Sequence, residues 1–134
     1  MKRKIIFLVI LFSVILVGCN AAVNMRDKVI GISSGKFLFQ DGNMTTIYNA
    51  DIDLVWNACE KTIKDLKGSA IQKERKISRG TITAVVQDEK VKMSIEYITK
   101  GSTSVSVFVG VVGNNMASRL IHDKIAHNLA ASPP

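Results

Sequence analysis

Cysteine occurs only twice in the 134 residues, so neither a disulfide scaffold nor a four-cysteine zinc site can be built from this chain. No phosphate loop, dinucleotide fingerprint or metal-ligand spacing occurs anywhere in it, so the sequence implies no cofactor and no metal. Acidic residues are in the minority, 11 against 18 basic, for a net charge of +7. Apolar residues at 47% and charged residues at 22% exclude a disordered or collagen-like chain. What is present is uneven. The mean hydropathy is +0.20, yet residues 1–18 carry all of the excess, and the remainder averages roughly −0.1 on the usual transfer-based scale.

That first segment is a basic start, Lys2-Arg3-Lys4, followed by Ile5–Val17, apolar except at Ser13. Thirteen helical residues would span roughly 20 Å, short of a bilayer core of roughly 30 Å. The pattern is that of an export signal with a positive flank and a short apolar stretch. Leu16-Val17-Gly18-Cys19 then resembles the lipobox of bacterial lipoprotein signals. The resemblance implies cleavage between Gly18 and Cys19 and acylation of the cysteine by chains such as palmitate. Each buried methylene of such a chain anchors by about 0.8 kcal/mol. The competing reading is an uncleaved anchor running on through Asn20 to Val23. Asn20 interrupts that run, and it occupies a sorting position where the lack of aspartate implies the outer membrane, periplasmic face. Without Lys2, Arg3 and Lys4 the net charge falls from +7 to +4, which weakens a nucleic-acid reading and leaves the membrane as the expected partner.

The expected organisation is a signal peptide at 1–18, a lipidated tether at 19–43, an α+β domain at 44–130 and a tail at 131–134. Phe37-Leu38-Phe39 with Asp41-Gly42 reads either as a short strand entering a hairpin or as a segment packed on the domain edge. Met44–Asn49 has strand composition. Asp51 is a natural N-cap for a helix over 52–67, with Gly68 as its stop, and Ile52, Val55, Trp56, Cys59, Ile63 and Leu66 share one face. Four strands follow near 70–75, 81–87, 91–98 and 103–112, separated by short turns. Val91, Met93, Ile95 and Tyr97 alternate to one face, as do Val105, Val107, Val109 and Val111. A last helix over 115–128, capped by Asn114, is expected to bury Ala117, Leu120, Ile121, Ile125 and Leu129. This order predicts an antiparallel sheet of about five strands with two helices on one face.

Residues 48–129 resemble a family of small bacterial lipoproteins grouped as a domain of unknown function. The resemblance rests on Tyr48-Asn49-Ala50, Asp53-Leu54-Val55-Trp56, Lys64-Asp65-Leu66, Val105-Ser106-Val107 and Ser118-Arg119-Leu120-Ile121-His122-Asp123-Lys124-Ile125. Asn114-Asn115 departs from an Asp-Glu start that is more usual there. The arrangement is also similar to the helix-grip domains of some outer-membrane assembly lipoproteins, a likeness of fold and not of activity.

The reactive side chains are scattered. Cys59 lies on the apolar helix face and reads as a small hydrophobe. His122 and His127 are five residues apart, too far around a helix for one metal. Ser118, His122 and Asp123 suggest a triad on paper, but adjacent helical residues point apart, and a solvated helix face is expected instead. Trp56 belongs to the core stripe. Lys73, Arg75, Lys76 and Arg79 form the densest basic cluster, and Arg119, Asp123 and Lys124 a second polar group; both are candidate contact surfaces for an envelope protein, a lipid headgroup or an acidic glycan. The sequence therefore implies a non-enzymatic, lipid-anchored contact module. A carrier sheltering an apolar ligand between sheet and helix is the alternative.

Overall fold

The computed structural model describes residues 37–132. The signal segment, Gly18, Cys19, most of the expected tether and the final two residues lie outside the described residues.

The fold is α+β, an open antiparallel sheet with two helices on one face. In chain order the elements are β1 (Leu38–Gln40), β2 (Asn43–Tyr48), α1 (Ile52–Asp65), β3 (Ser69–Arg75), β4 (Arg79–Val86), β5 (Glu89–Thr99), β6 (Ser102–Val109) and α2 (Asn115–Ala131). The spatial order β1-β2-β6-β5-β4-β3 makes six strands where about five were expected. The addition is β1, which lies upstream of the boundary expected at residue 44. Asp41 and Gly42 both adopt positive φ, so this pair forms the tight hairpin turn between β1 and β2.

Alternation sets the two faces of the sheet. Tyr48, Ile82, Val91, Met93, Ile95, Val105, Val107 and Val109 point toward the helices and are buried. The opposite face carries Thr45, Ser106, Ser94 and Thr81, register neighbours across four strands, and the Thr45 and Ser106 hydroxyls lie 2.6 Å apart. Two residues leave the expected face. β6 stops at Val109, placing Val111 in the following loop at 95% exposure, and a register shift near Tyr97 brings that ring out to the surface.

α1 buries Ile52, Val55, Trp56, Cys59 and Ile63 of the expected stripe together with Ala58 and Thr62, whereas the expected Leu66 is half-buried just past the last turn. Its ends differ from expectation. Asp51 makes no side-chain cap; its Oδ1 instead accepts the Gly101 N–H at 2.9 Å and so ties the helix start to the β5–β6 turn. At the other end Lys67, not Gly68, takes the left-handed conformation (φ 56°). Gly68 is needed for space, because a Cβ there would lie 2.7 Å from the Ile63 side chain.

α2 is capped as expected, Asn114 accepting the Ala117 N–H at 3.0 Å. Its buried face is rotated from the expected one: Ser118, Ile121, His122, Ile125, Ala126 and Asn128 are buried, while Leu120 is 63% exposed. The solvated setting expected for Ser118 and His122 is therefore incorrect, and only Asp123 of that trio is exposed. The reason is that the buried polar side chains find partners inside. Asn128 Nδ2 donates to Thr62 Oγ1 and to Asp65 Oδ2, both at 3.0 Å, and the Thr62 hydroxyl donates to the Ala58 carbonyl at 2.8 Å. Polar groups satisfied in this way are tolerated in a core that would reject them unpaired.

Candidate functional site

The densest chemistry in the domain lies where α2 crosses β2. Tyr48 closes β2 with its side chain inward, and His122 reaches down from the second turn of α2; both are fully buried. The Tyr48 hydroxyl is 2.8 Å from His122 Nδ1 and 3.1 Å from the His122 carbonyl, and Nε2 is 2.8 Å from the Met44 carbonyl. A carbonyl only accepts, so Nε2 carries the proton and Nδ1 accepts from the tyrosine. Burial pushes the imidazole below its ordinary pKa and the Tyr48 phenol above its own, which keeps both groups neutral.

Phe37, at the start of the described chain, extends this cluster to the surface. Its ring meets the His122 ring edge-on, with centroids 5.4 Å apart and planes at 63°, and the Arg119 guanidinium lies 3.9 Å from its centroid. Arg119, Phe37, His122 and Tyr48 thus run from solvent to core and fasten the entering chain to both α2 and β2. Both imidazole nitrogens are committed to protein partners, so the ring has none left for a substrate proton. His127 is exposed on the same helix, and no cluster of three or more metal-ligating side chains occurs among the described residues.

Cys59 is fully buried in the core, and burial pushes its thiol well up. A neutral, enclosed thiol is a packing group and not a nucleophile.

The basic cluster is divided by the fold. Lys73 and Arg75 face α1, where Lys73 pairs with Glu60 at 3.0 Å and Arg75 with Asp53 at 2.6 Å. Arg75 also lies 5.3 Å from the centroid of Trp56. Lys76 pairs with Glu74 at 3.5 Å. Lys76, Arg79, Glu74 and Glu96, with Thr81 and Ser94, line an open hollow of about 310 Å³, in which both signs of charge are present. On α2, Arg119 pairs with Asp123 at 3.4 Å on the flank beside Phe37, whereas Lys124 reaches Asp65 of α1 at 3.8 Å. The seven candidate contact residues therefore do not form one surface. Their pairs are at least partly exposed, and such pairs contribute about 0–1 kcal/mol each.

A second concavity, of about 300 Å³, opens between the sheet and the N-terminal end of α2. Leu66, Val86, Val91, Val109, Leu120 and Ile121 make it mainly apolar. Among the described residues no helix is long and apolar enough to cross a membrane.

Two features escaped the sequence reading: the Tyr48–His122 pair and the lining of the apolar groove, whose place between sheet and helix the carrier alternative had named without its residues. Both depend on which face of α2 turns inward. The available signal was the spacing of Ser118, His122, Ile125 and Ala126, which forms a stripe once polar residues are admitted to it. A search of curated proteins finds no match to the chain. The family model described as protein of unknown function, DUF3568, matches residues 2–128, and the chain belongs to that family.

Proposed function

We propose that this protein is a lipid-anchored, non-catalytic contact module of a bacterial cell envelope, held on the periplasmic face of the outer membrane by an acylated Cys19. The observation that carries this reading is Leu16-Val17-Gly18-Cys19 immediately after a basic start and a short apolar run. The domain is consistent with it. Its histidine–tyrosine pair is internally satisfied, its thiol is enclosed, and its charged residues are spread over several surfaces suited to contact. Mass spectrometry of the mature N-terminus is expected to show Cys19 carrying acyl chains. An intact Met1 in protein extracted from membranes would overturn the reading. Crosslinking in living cells is expected to recover a specific envelope partner.

The apolar groove between sheet and α2 supports a second reading, a carrier of a lipid or other apolar ligand. Its volume of about 300 Å³ stands at the lower end of the range for small-molecule sites. Native mass spectrometry of gently purified protein separates the two: a co-purifying lipid of defined mass favours the carrier, and the bare chain favours the contact module.

A further inference from the structure

We propose that the β6–α2 corner of the domain is a membrane-inserting tip, with Val111, Val112, Met116 and Leu120 dipping into the leaflet that holds the anchor. The proposal rests on the lipid-anchored reading above and names the surface that the domain meets there.

These four side chains are 95, 85, 76 and 63% exposed and fall within ten consecutive residues. They are held outward by a defined scaffold. The Gly110 N–H donates to the Lys90 carbonyl at 2.9 Å, and Gly110 and Gly113 both take positive φ. Gly113 packs against the Gly42 backbone so closely that a Cβ on it would lie 2.3 Å from the Gly42 Cα. The loop between the two glycines is thus braced against the β1–β2 turn and presents Val111 and Val112 at its crest. Met116 and Leu120 extend the apolar surface along one side of α2, and Leu120 leads into the apolar groove.

A lipid surface fits this tip for three reasons. Residues 102–118 contain no charged side chain of their own, so Val111 and Val112 at the crest enter the leaflet without stripping water from an ion. Glu89, whose carboxylate lies beside Gly110, and Asp41 and Arg119 at the base of the tip stay at the level of the headgroups. The first turn of α2 has no acidic residue of its own, so the positive end of its dipole adds to the attraction for headgroup phosphates. The chain from Cys19 to Phe37 spans at most roughly 60 Å when fully extended, and roughly 25 Å as a flexible coil. An anchor at Cys19 therefore keeps the domain within reach of the same bilayer.

The test uses the full, processed protein in vesicles of phosphatidylethanolamine and phosphatidylglycerol, labelled at Val112→Cys with an environment-sensitive fluorophore. Cys59 is buried and Cys19 acylated, so the label goes to the new thiol. Val112 is exposed, and the substitution leaves the fold intact. A second variant, Lys100→Cys, puts the label in the β5–β6 turn at the opposite end of the sheet. The expected result is blue-shifted emission at position 112, quenched by lipids spin-labelled near the headgroup, with water-like emission at position 100. Water-like emission at 112 in vesicle-bound protein overturns the proposal. So does a blue shift that spin-labelled lipids do not quench, since that would mark a protein covering the tip. Failure of the anchored reading shows separately, as an unacylated N-terminus in the mass spectrum of the same protein. In that event a lipid-quenched label at 112 upon vesicle addition would still uphold the tip, and its absence would end it.

Discussion

The indole of Trp56 occupies the space that a side chain on Gly80 would need: a Cβ at that glycine would lie 2.5 Å from the ring. Gly80 is the register partner of both Arg75 and Ile95, so the ring of α1 settles into a gap left in the middle of three strands. The Arg75 guanidinium lies 5.3 Å from the ring centroid and links the edge strand to the same contact. Gly80→Ala is therefore expected to destabilise the domain by about 1–3 kcal/mol through overpacking. Urea unfolding followed by tryptophan fluorescence checks it, since Trp56 is the sole tryptophan in the chain. A variant as stable as the parent, with unchanged emission, would show that the ring moves aside freely.

Stability should fall on mild acidification because of His122. Burial holds its folded-state pKa below the ordinary 6.5 at which it titrates in the unfolded chain. As pH drops below about 6.5 the unfolded chain takes up a proton that the folded chain resists. The contribution is thus fully present above that pH and is lost progressively down to the folded-state pKa. Tm is expected to be lower at pH 5.5 than at pH 7.5. His122→Gln should lower Tm at both values but remove most of the difference between them. Asp65 acts in a separate window. Hydrogen bonds from Lys61 and Asn128 hold its carboxyl below the usual range, so its contribution disappears only in stronger acid.

Asn128 is the polar joint between the helices, with Thr62 Oγ1 and Asp65 Oδ2 both 3.0 Å from its Nδ2. Asn128→Ala is expected to cost about 1–3 kcal/mol, because Thr62 and the amide's own site lose buried partners. Adding Thr62→Val to that variant should cost less than the same change in the parent, as the hydroxyl would already have lost one of its partners. A double-mutant cycle from chemical denaturation measures the coupling. Strict additivity would show that the two side chains act independently.

The sheet was legible because alternation is a local property: Val105, Val107 and Val109 announce an inward face without reference to any other segment. The same holds for α1, whose buried residues are almost all apolar. α2 was misread because an apolar count assigns Leu120 inward and His122 outward. The decision belongs to partners remote in sequence, Tyr48 and Met44 for His122, and Thr62 and Asp65 for Asn128. The basic cluster failed as a unit for a related reason. Lys73 and Arg75 alternate with Glu74 along an edge strand, and Glu60 and Asp53 are brought to them only when α1 lies across that strand. Asp41-Gly42 carried the hairpin signal, but three residues of β1 are too short for composition alone to separate a strand from a packed edge.

Cys59 provides a direct count of accessible thiols that bears on the anchor as well as on the core. The side chain is fully buried, and burial raises its pKa, so at pH 8 almost none of it is thiolate. A maleimide or aromatic disulfide reagent can reach it only when the domain opens, and labelling is therefore expected to be negligible in the folded protein and complete in denaturant. On the proposed lipid-anchored reading, Cys19 of mature protein extracted from membranes is blocked by a thioether to diacylglycerol. The expected titration is no thiol in the native protein and one after unfolding. A count of one native and two unfolded would mean that Cys19 is unmodified, and the lipid-anchored reading would fall. Native labelling of Cys59 itself, identified by peptide mapping, would instead show that α1 separates from the sheet under native conditions.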